Sequence, residues 1–151
     1  MCANSPLTSS PVSNFLPLTR RAQSPALKAA FEKHRDETEG HVDRLEQVFE
    51  ILGKRAVGKV CPAIEGILEE GAEILEEFKG TVALDAGLVS AAQAVEHYEM
   101  ARYGTLKRWA ESLGMADAAK LLGATLDEES KTDKALTGLA DTFANDKAKA
   151  A

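Results

Sequence analysis

Three stretches of this chain repeat their inward-type residues at intervals that alternate four and three. That spacing traces one face of an α-helix and leaves little room for any other architecture. The first runs Leu27, Phe31, His34, Thr38, His41, Leu45, Val48 and Leu52. The next is Leu88, Ala92, Val95, Glu99, Arg102, Leu106, Trp109 and Leu113, and the last is Ala118, Leu122, Thr125, Glu129, Thr132, Leu136, Leu139 and Phe143. A further amphipathic segment places Ile64, Ile67, Leu68, Ile74, Leu75 and Phe78 on one side and a run of glutamates on the other. Period-two alternation is absent beyond a few residues, so the expected fold class is all-α, a helical bundle.

Punctuation residues set the expected helices at 25–52, 62–78, 85–113 and 115–143. Ser24-Pro25 is an N-cap followed by proline at the first helical position, and Gly53, Gly80 and Gly114 supply stops. At 151 residues with 44% hydrophobic content the chain is one domain's worth. The expected organisation is an irregular arm at 1–23, a helical domain at 24–143 and a frayed tail at 144–151. Residues 1–31 hold Arg20, Arg21 and Lys28 with no acid, together with four of the five prolines. Acid-poor and Ser-rich composition is shared with transit peptides, but Pro6, Pro11 and Pro17 oppose the amphipathic helix such a peptide needs. A cytoplasmic location is therefore expected.

Composition excludes several classes. A net charge of −6 argues against nucleic acid, whose binding needs clustered Lys and Arg. No run approaches the roughly 18 apolar residues of a membrane span, so no membrane partner is expected. Two cysteines, Cys2 and Cys61, form neither a zinc spacing nor a disulfide frame. Phosphate loops and nucleophile elbows are absent.

The stripes are interrupted at one height. His34, Thr38 and His41, with Glu37 one turn from each histidine, fall at the middle of the first; Glu99 with Glu96 one turn before it, and Glu129, fall at the middles of the others. Midpoints stay level whether neighbouring helices run up or down, so these groups share one layer of the core. Buried carboxylates require compensation. A metal held by carboxylates and imidazoles, iron or manganese, is one solution. An internal ion-pair layer in which His34, His41 or Arg102 neutralises Glu99 and Glu129 is the other. His97 lies about 160° around its helix from Glu99 and reads as a surface or interface histidine. Tyr98 and Tyr103 read as core packing ahead of a radical pathway. Cys61, at a helix start, reads as a buried, inert thiol ahead of an activated one.

The segments LKAAFEKHRDETEGHVDRLEQVFEILG, AAQAVEHYEMARYGTLKRWAESLG and LLGATLDEES resemble the ferritin-like YciE/YciF family of small bacterial proteins over residues 24–143. The resemblance implies a ferritin-like bundle with an extra crossover helix at 62–78, a homodimer, a di-metal site of iron or manganese and a link to stress responses. Carried onto this chain, the metal candidates are Glu37, Glu99 and Glu129 with His34, and more weakly Glu96 and His41. Two departures stand out. No histidine follows a glutamate by three residues, the pairing a ferritin-type site uses, and the family's N-terminal helix is matched only from Phe15 to Ser24. A non-catalytic helical interaction protein, with the polar layer fixing its packing, is the competing expectation.

Overall fold

The computed structural model describes residues 19–150; most of the arm expected at 1–23 lies outside them. Four long helices follow: α1 (Pro25–Ile51), α2 (Pro62–Glu77), α3 (Leu84–Ser112) and α4 (Ala116–Leu139). Beyond Leu139 the chain passes through a π-helical turn at Ala140–Ala144 into a last short helix, α5 (Asn145–Ala148). No strand occurs among the described residues.

The start of α1 is fixed twice. Ser24 is its N-cap, with the Oγ accepting from the Leu27 N–H at 3.5 Å, and Pro25 occupies the first turn. Asp85, 1% exposed, accepts from the backbone N–H groups of Gln23 at 2.7 Å and Ser24 at 2.9 Å. This carboxylate ties the entry of α1 to the first turn of α3. Gly53, Gly80 and Gly114 sit at φ of 62°, 76° and 71° after the three helices they terminate, the left-handed backbone at which glycine escapes the Cβ penalty.

Helix α4 packs against both α1 and α3, and α2 packs against α3. His34 meets Thr132 and Arg44 meets Thr125, so α1 and α4 run antiparallel. Gln93 meets Thr137, and a Cβ at Gly123 would meet Lys107, so α3 and α4 are antiparallel as well, leaving α1 parallel to α3. The core divides into two clusters. One gathers Leu27, Phe31, Cys61, Leu75, Leu88, Val95 and Leu136; the other gathers Val48, Tyr103, Ala110, Ala118 and Leu122. The polar layer lies between them.

The second half of the α3 stripe departs from expectation. Tyr103 and Ala110 are buried, whereas Arg102 is exposed and Trp109 and Leu113 are 61% and 74% exposed. From Glu99 the four-three alternation continues equally well through Tyr103, Leu106 and Ala110 as through Arg102, Leu106 and Trp109. Side-chain size favours the second path in sequence. Packing selects the first, because the small Ala110 lets α3 close on Ala118 and Ala119 of α4.

Candidate metal centre

His34, Glu96 and Glu129 converge from α1, α3 and α4, and each offers one ligand atom within 4.8 Å of the others. All three are at most 1% exposed. His34 Nε2 lies 3.2 Å from Glu96 Oε1 and 3.7 Å from Glu129 Oε2. His34 Nδ1 is 3.2 Å from Thr132 Oγ1. With that nitrogen donating to the threonine, Nε2 presents its lone pair to the two carboxyls, the orientation a metal-ligating imidazole takes.

The other expected residues surround this trio. His41, 3% exposed, sets Nδ1 3.1 Å from Glu129 Oε1 and Nε2 3.0 Å from Glu128 Oε2. Glu128, in turn, is held by Arg44 through two bonds of 2.7 and 2.8 Å. Glu99 enters the layer from α3 and hydrogen-bonds Glu129. Glu37 sits at the edge: it pairs with Lys33, and its second oxygen is 4.0 Å from His34 Nδ1. Arg102 turns outward instead, with its Nε donating to the Tyr98 hydroxyl at 3.1 Å and its guanidinium 5.1 Å over the tyrosine ring.

Sequence reasoning missed Glu128 and Arg44. Both lie off the stripes, and only the pairing of α1 with α4 shows that they close the layer. Glu96, expected only as a weaker candidate one turn before Glu99, is a centre of it. His97 bonds Asp133 at 3.1 Å with a side chain 65% exposed, on the surface as expected. Cys61 is buried, its Sγ 2.9 Å from the Tyr98 hydroxyl.

The layer carries more carboxyl groups than partners for them. The carboxyl oxygens of Glu96 and Glu129 and one of Glu37 are buried away from water, facing one another and the two imidazoles. Protonation relieves part of this. Burial, then the charge of Glu129, pushes Glu96 up to about 11, and the same two causes raise Glu99 well above the usual carboxylate range. Burial also disfavours charge on Glu129, but the hydrogen bond and charge of His41, with His34 behind it, hold that carboxyl below its ordinary value. Burial pulls His34 down against the attraction of Glu129. Glu129 thus sits ionised beside two acids, Glu96 and Glu99, that burial keeps protonated, an arrangement that a cation can replace. The buried donor set converging from three helices fits a metal: two carboxylates and an imidazole suit iron or manganese.

A bundle with a two-histidine, multi-carboxylate layer at mid-height, and α2 as an extra crossover helix, is a ferritin-like fold. Residues 14–149 match the family model described as domain of unknown function DUF892. The chain belongs to that family. It is 45% identical over 132 residues to protein YciF of Escherichia coli strain K12, covering 87% of this chain and 80% of the relative. The crystal structure of the E. coli stress protein YciF superposes with a TM-score of 0.83 at 42% identity, over 89% of this chain and 85% of that one. YcfI from Rhodopseudomonas palustris, described as a candidate structural protein, superposes at 0.81 with 40% identity, over 83% and 80%. No helix among the described residues is long and apolar enough to cross a membrane.

Proposed function

We propose that this protein binds iron or manganese in its mid-bundle layer and serves stress protection through it, as a cytoplasmic homodimer. The observation that carries the reading is the trio of His34, Glu96 and Glu129, which meets from three helices with its possible ligand atoms buried and within 4.8 Å of one another. Glu96 and Glu129 would hold the ion with His34; Glu99 and Glu37 border it. When bound, such a metal supplies one-electron redox chemistry toward dioxygen or peroxide. The chain's own contributions are distinct from that chemistry. His41, gripped by Glu128, orients Glu129; Thr132 fixes the His34 tautomer; and the two apolar clusters above and below exclude water. The stress role is supported by the relationship to the stress protein YciF.

Anaerobic titration of the metal-free protein with ferrous iron or manganese, followed by metal analysis after desalting, tests the reading. Retention of at least one ion per chain is expected, and no retention of either metal rejects it. A second reading, a helical interaction protein whose layer serves packing alone, draws support from the Arg44–Glu128–His41–Glu129 chain, which already neutralises part of the layer. Ile51, Leu52 and Leu113 leave apolar surface at one end of the bundle, which supports self-association. Sedimentation showing only monomer at micromolar concentration would reject the dimer.

A further inference from the structure

The chain holds two tyrosines and one tryptophan, and all three line a single open cavity of about 200 Å³ between α1 and α3. Phenol and indole rings yield an electron to one-electron oxidants, whereas phenylalanine resists them. The cavity also reaches the carboxylate layer, because Glu99 forms part of its wall. Tyr103 stands at the inner end: it is 9% exposed, and its ring meets that of His41 edge-on at a centroid distance of 6.3 Å. Trp109 stands at the outer end, 61% exposed, and six residues of α3 place it about 9 Å from Tyr103 along the helix axis. Tyr98 differs from both. The Arg102 guanidinium lies 5.1 Å over its ring and donates to its hydroxyl at 3.1 Å, so a fixed positive charge opposes loss of an electron there.

We propose that Tyr103 and Trp109 form a relay that carries single oxidising equivalents from the mid-bundle layer to solvent. The relay rests on the metal reading for its oxidant, which is the layer's iron or manganese after reaction with peroxide. One electron passes from Tyr103 to the metal, reducing it by one unit, and Tyr103 regains an electron from Trp109 and ends unchanged. The indole N–H proton of Trp109 leaves to water. A small thiol in solution then returns one hydrogen atom to the indole nitrogen and becomes a thiyl radical. The outer end of such a relay must meet water, and this indole does.

Pulse radiolysis of metal-free protein in azide tests the connection without any metal, because azidyl radicals oxidise tryptophan selectively and Trp109 is the one tryptophan of the chain. The indolyl radical should decay as a tyrosyl radical grows in, at a rate independent of protein concentration. In that step the indole regains an electron from the tyrosine and a proton from water, and the tyrosine releases its hydroxyl proton. Tyr103→Phe should lose the tyrosyl growth and Tyr98→Phe should keep it; Tyr103→Phe removes only a hydroxyl from a buried ring, and its melting curve verifies that it folds. In protein loaded with manganese or iron and treated with peroxide, mass spectrometry should find oxidation at Trp109 that Tyr103→Phe loses, with methionine oxidation equal in the two. Absence of tyrosyl growth in the wild type, growth lost in Tyr98→Phe instead of Tyr103→Phe, or loaded protein whose Trp109 stays unoxidised overturns the proposal. A failure to retain metal appears in the metal analysis and rejects the metal reading, whereas a failure of tyrosyl growth appears without metal and rejects the relay.

Discussion

His34 Nε2 and Glu96 Oε1 lie 3.2 Å apart with side chains 1% and 0% exposed, yet at neutral pH the pair is held without charge. Burial lowers the imidazole below its ordinary 6.5 and raises the carboxyl to about 11. The stability of the metal-free protein should follow from this. A carboxyl raised above its unfolded value stabilises the fold while protonated, and that contribution is lost as pH climbs from about 4.5 toward 11 for Glu96, with Glu99 acting in the same direction. His34, being lowered, makes stability rise with pH only up to 6.5, and the depressed Glu128 and Glu129 act only below 4.5. Above pH 6.5 the raised carboxyls alone remain of these groups. Metal-free protein should therefore lose stability from pH 6.5 to 9.5, by at most about 1.4 kcal/mol per pH unit for each group. Denaturant midpoints across that range check it, and Glu96→Gln should flatten the decline.

Asp85 offers a test of how the layer is positioned. Its two oxygens take the N–H groups of Gln23 and Ser24, so Asp85→Ala strands two donors at the entry of α1. The expected cost is about 2–4 kcal/mol. Asp85→Asn keeps a single acceptor oxygen and should cost less. Urea unfolding of the two variants decides the order; equal losses would mean that side-chain volume, and not the hydrogen bonds, matters here.

Much of this fold is legible in the chain because its punctuation is strong. Pro25, Pro62 and the three glycines at positive φ mark helix ends by backbone sterics, which are local. The level of the polar layer is also legible, since mid-helix positions align in any up-and-down bundle. The choice between Arg102 and Tyr103 is not, because both continue the four-three alternation and only the partner helix decides between them. Glu128 shows the same limit: it becomes part of the layer through Arg44 and His41, residues more than eighty positions away. Glu96 and Glu99 divide their roles for a similar reason. The rotation of α3 against α1 and α4 brings Glu96 to His34 and leaves Glu99 beside the cavity.

The Arg44–Glu128 pair closes the layer toward solvent. Both side chains are 25% exposed and the contact is two-pronged, a geometry stronger than that of an ordinary surface pair. A double-mutant cycle with Arg44→Met and Glu128→Gln should give a coupling of about 1 kcal/mol. A coupling indistinguishable from zero would leave His41 as the sole support of Glu128.

The layer itself distinguishes the two functional readings through one conservative pair of variants. Glu96 is uncharged at pH 7 and Glu129 is ionised, so replacing each by glutamine changes different things. Glu96→Gln substitutes one neutral group for another, and the metal-free protein should keep its stability within about 1 kcal/mol. Glu129→Gln removes the charge facing His41 and His34, and should cost about 3 kcal/mol. Metal then separates the readings. An ion bound only by the folded state at a hundredfold excess over its dissociation constant stabilises by about 2.7 kcal/mol, a rise in melting temperature of about 5–10 °C for a domain of this size. Wild-type protein should show that rise with manganese, more strongly at pH 8 than at pH 6 because the ligands must shed protons to bind. Glu96→Gln should lose it while remaining folded. If wild type and Glu96→Gln melt alike with and without iron or manganese, the layer serves packing alone, and the stability difference between the two glutamine variants measures its worth.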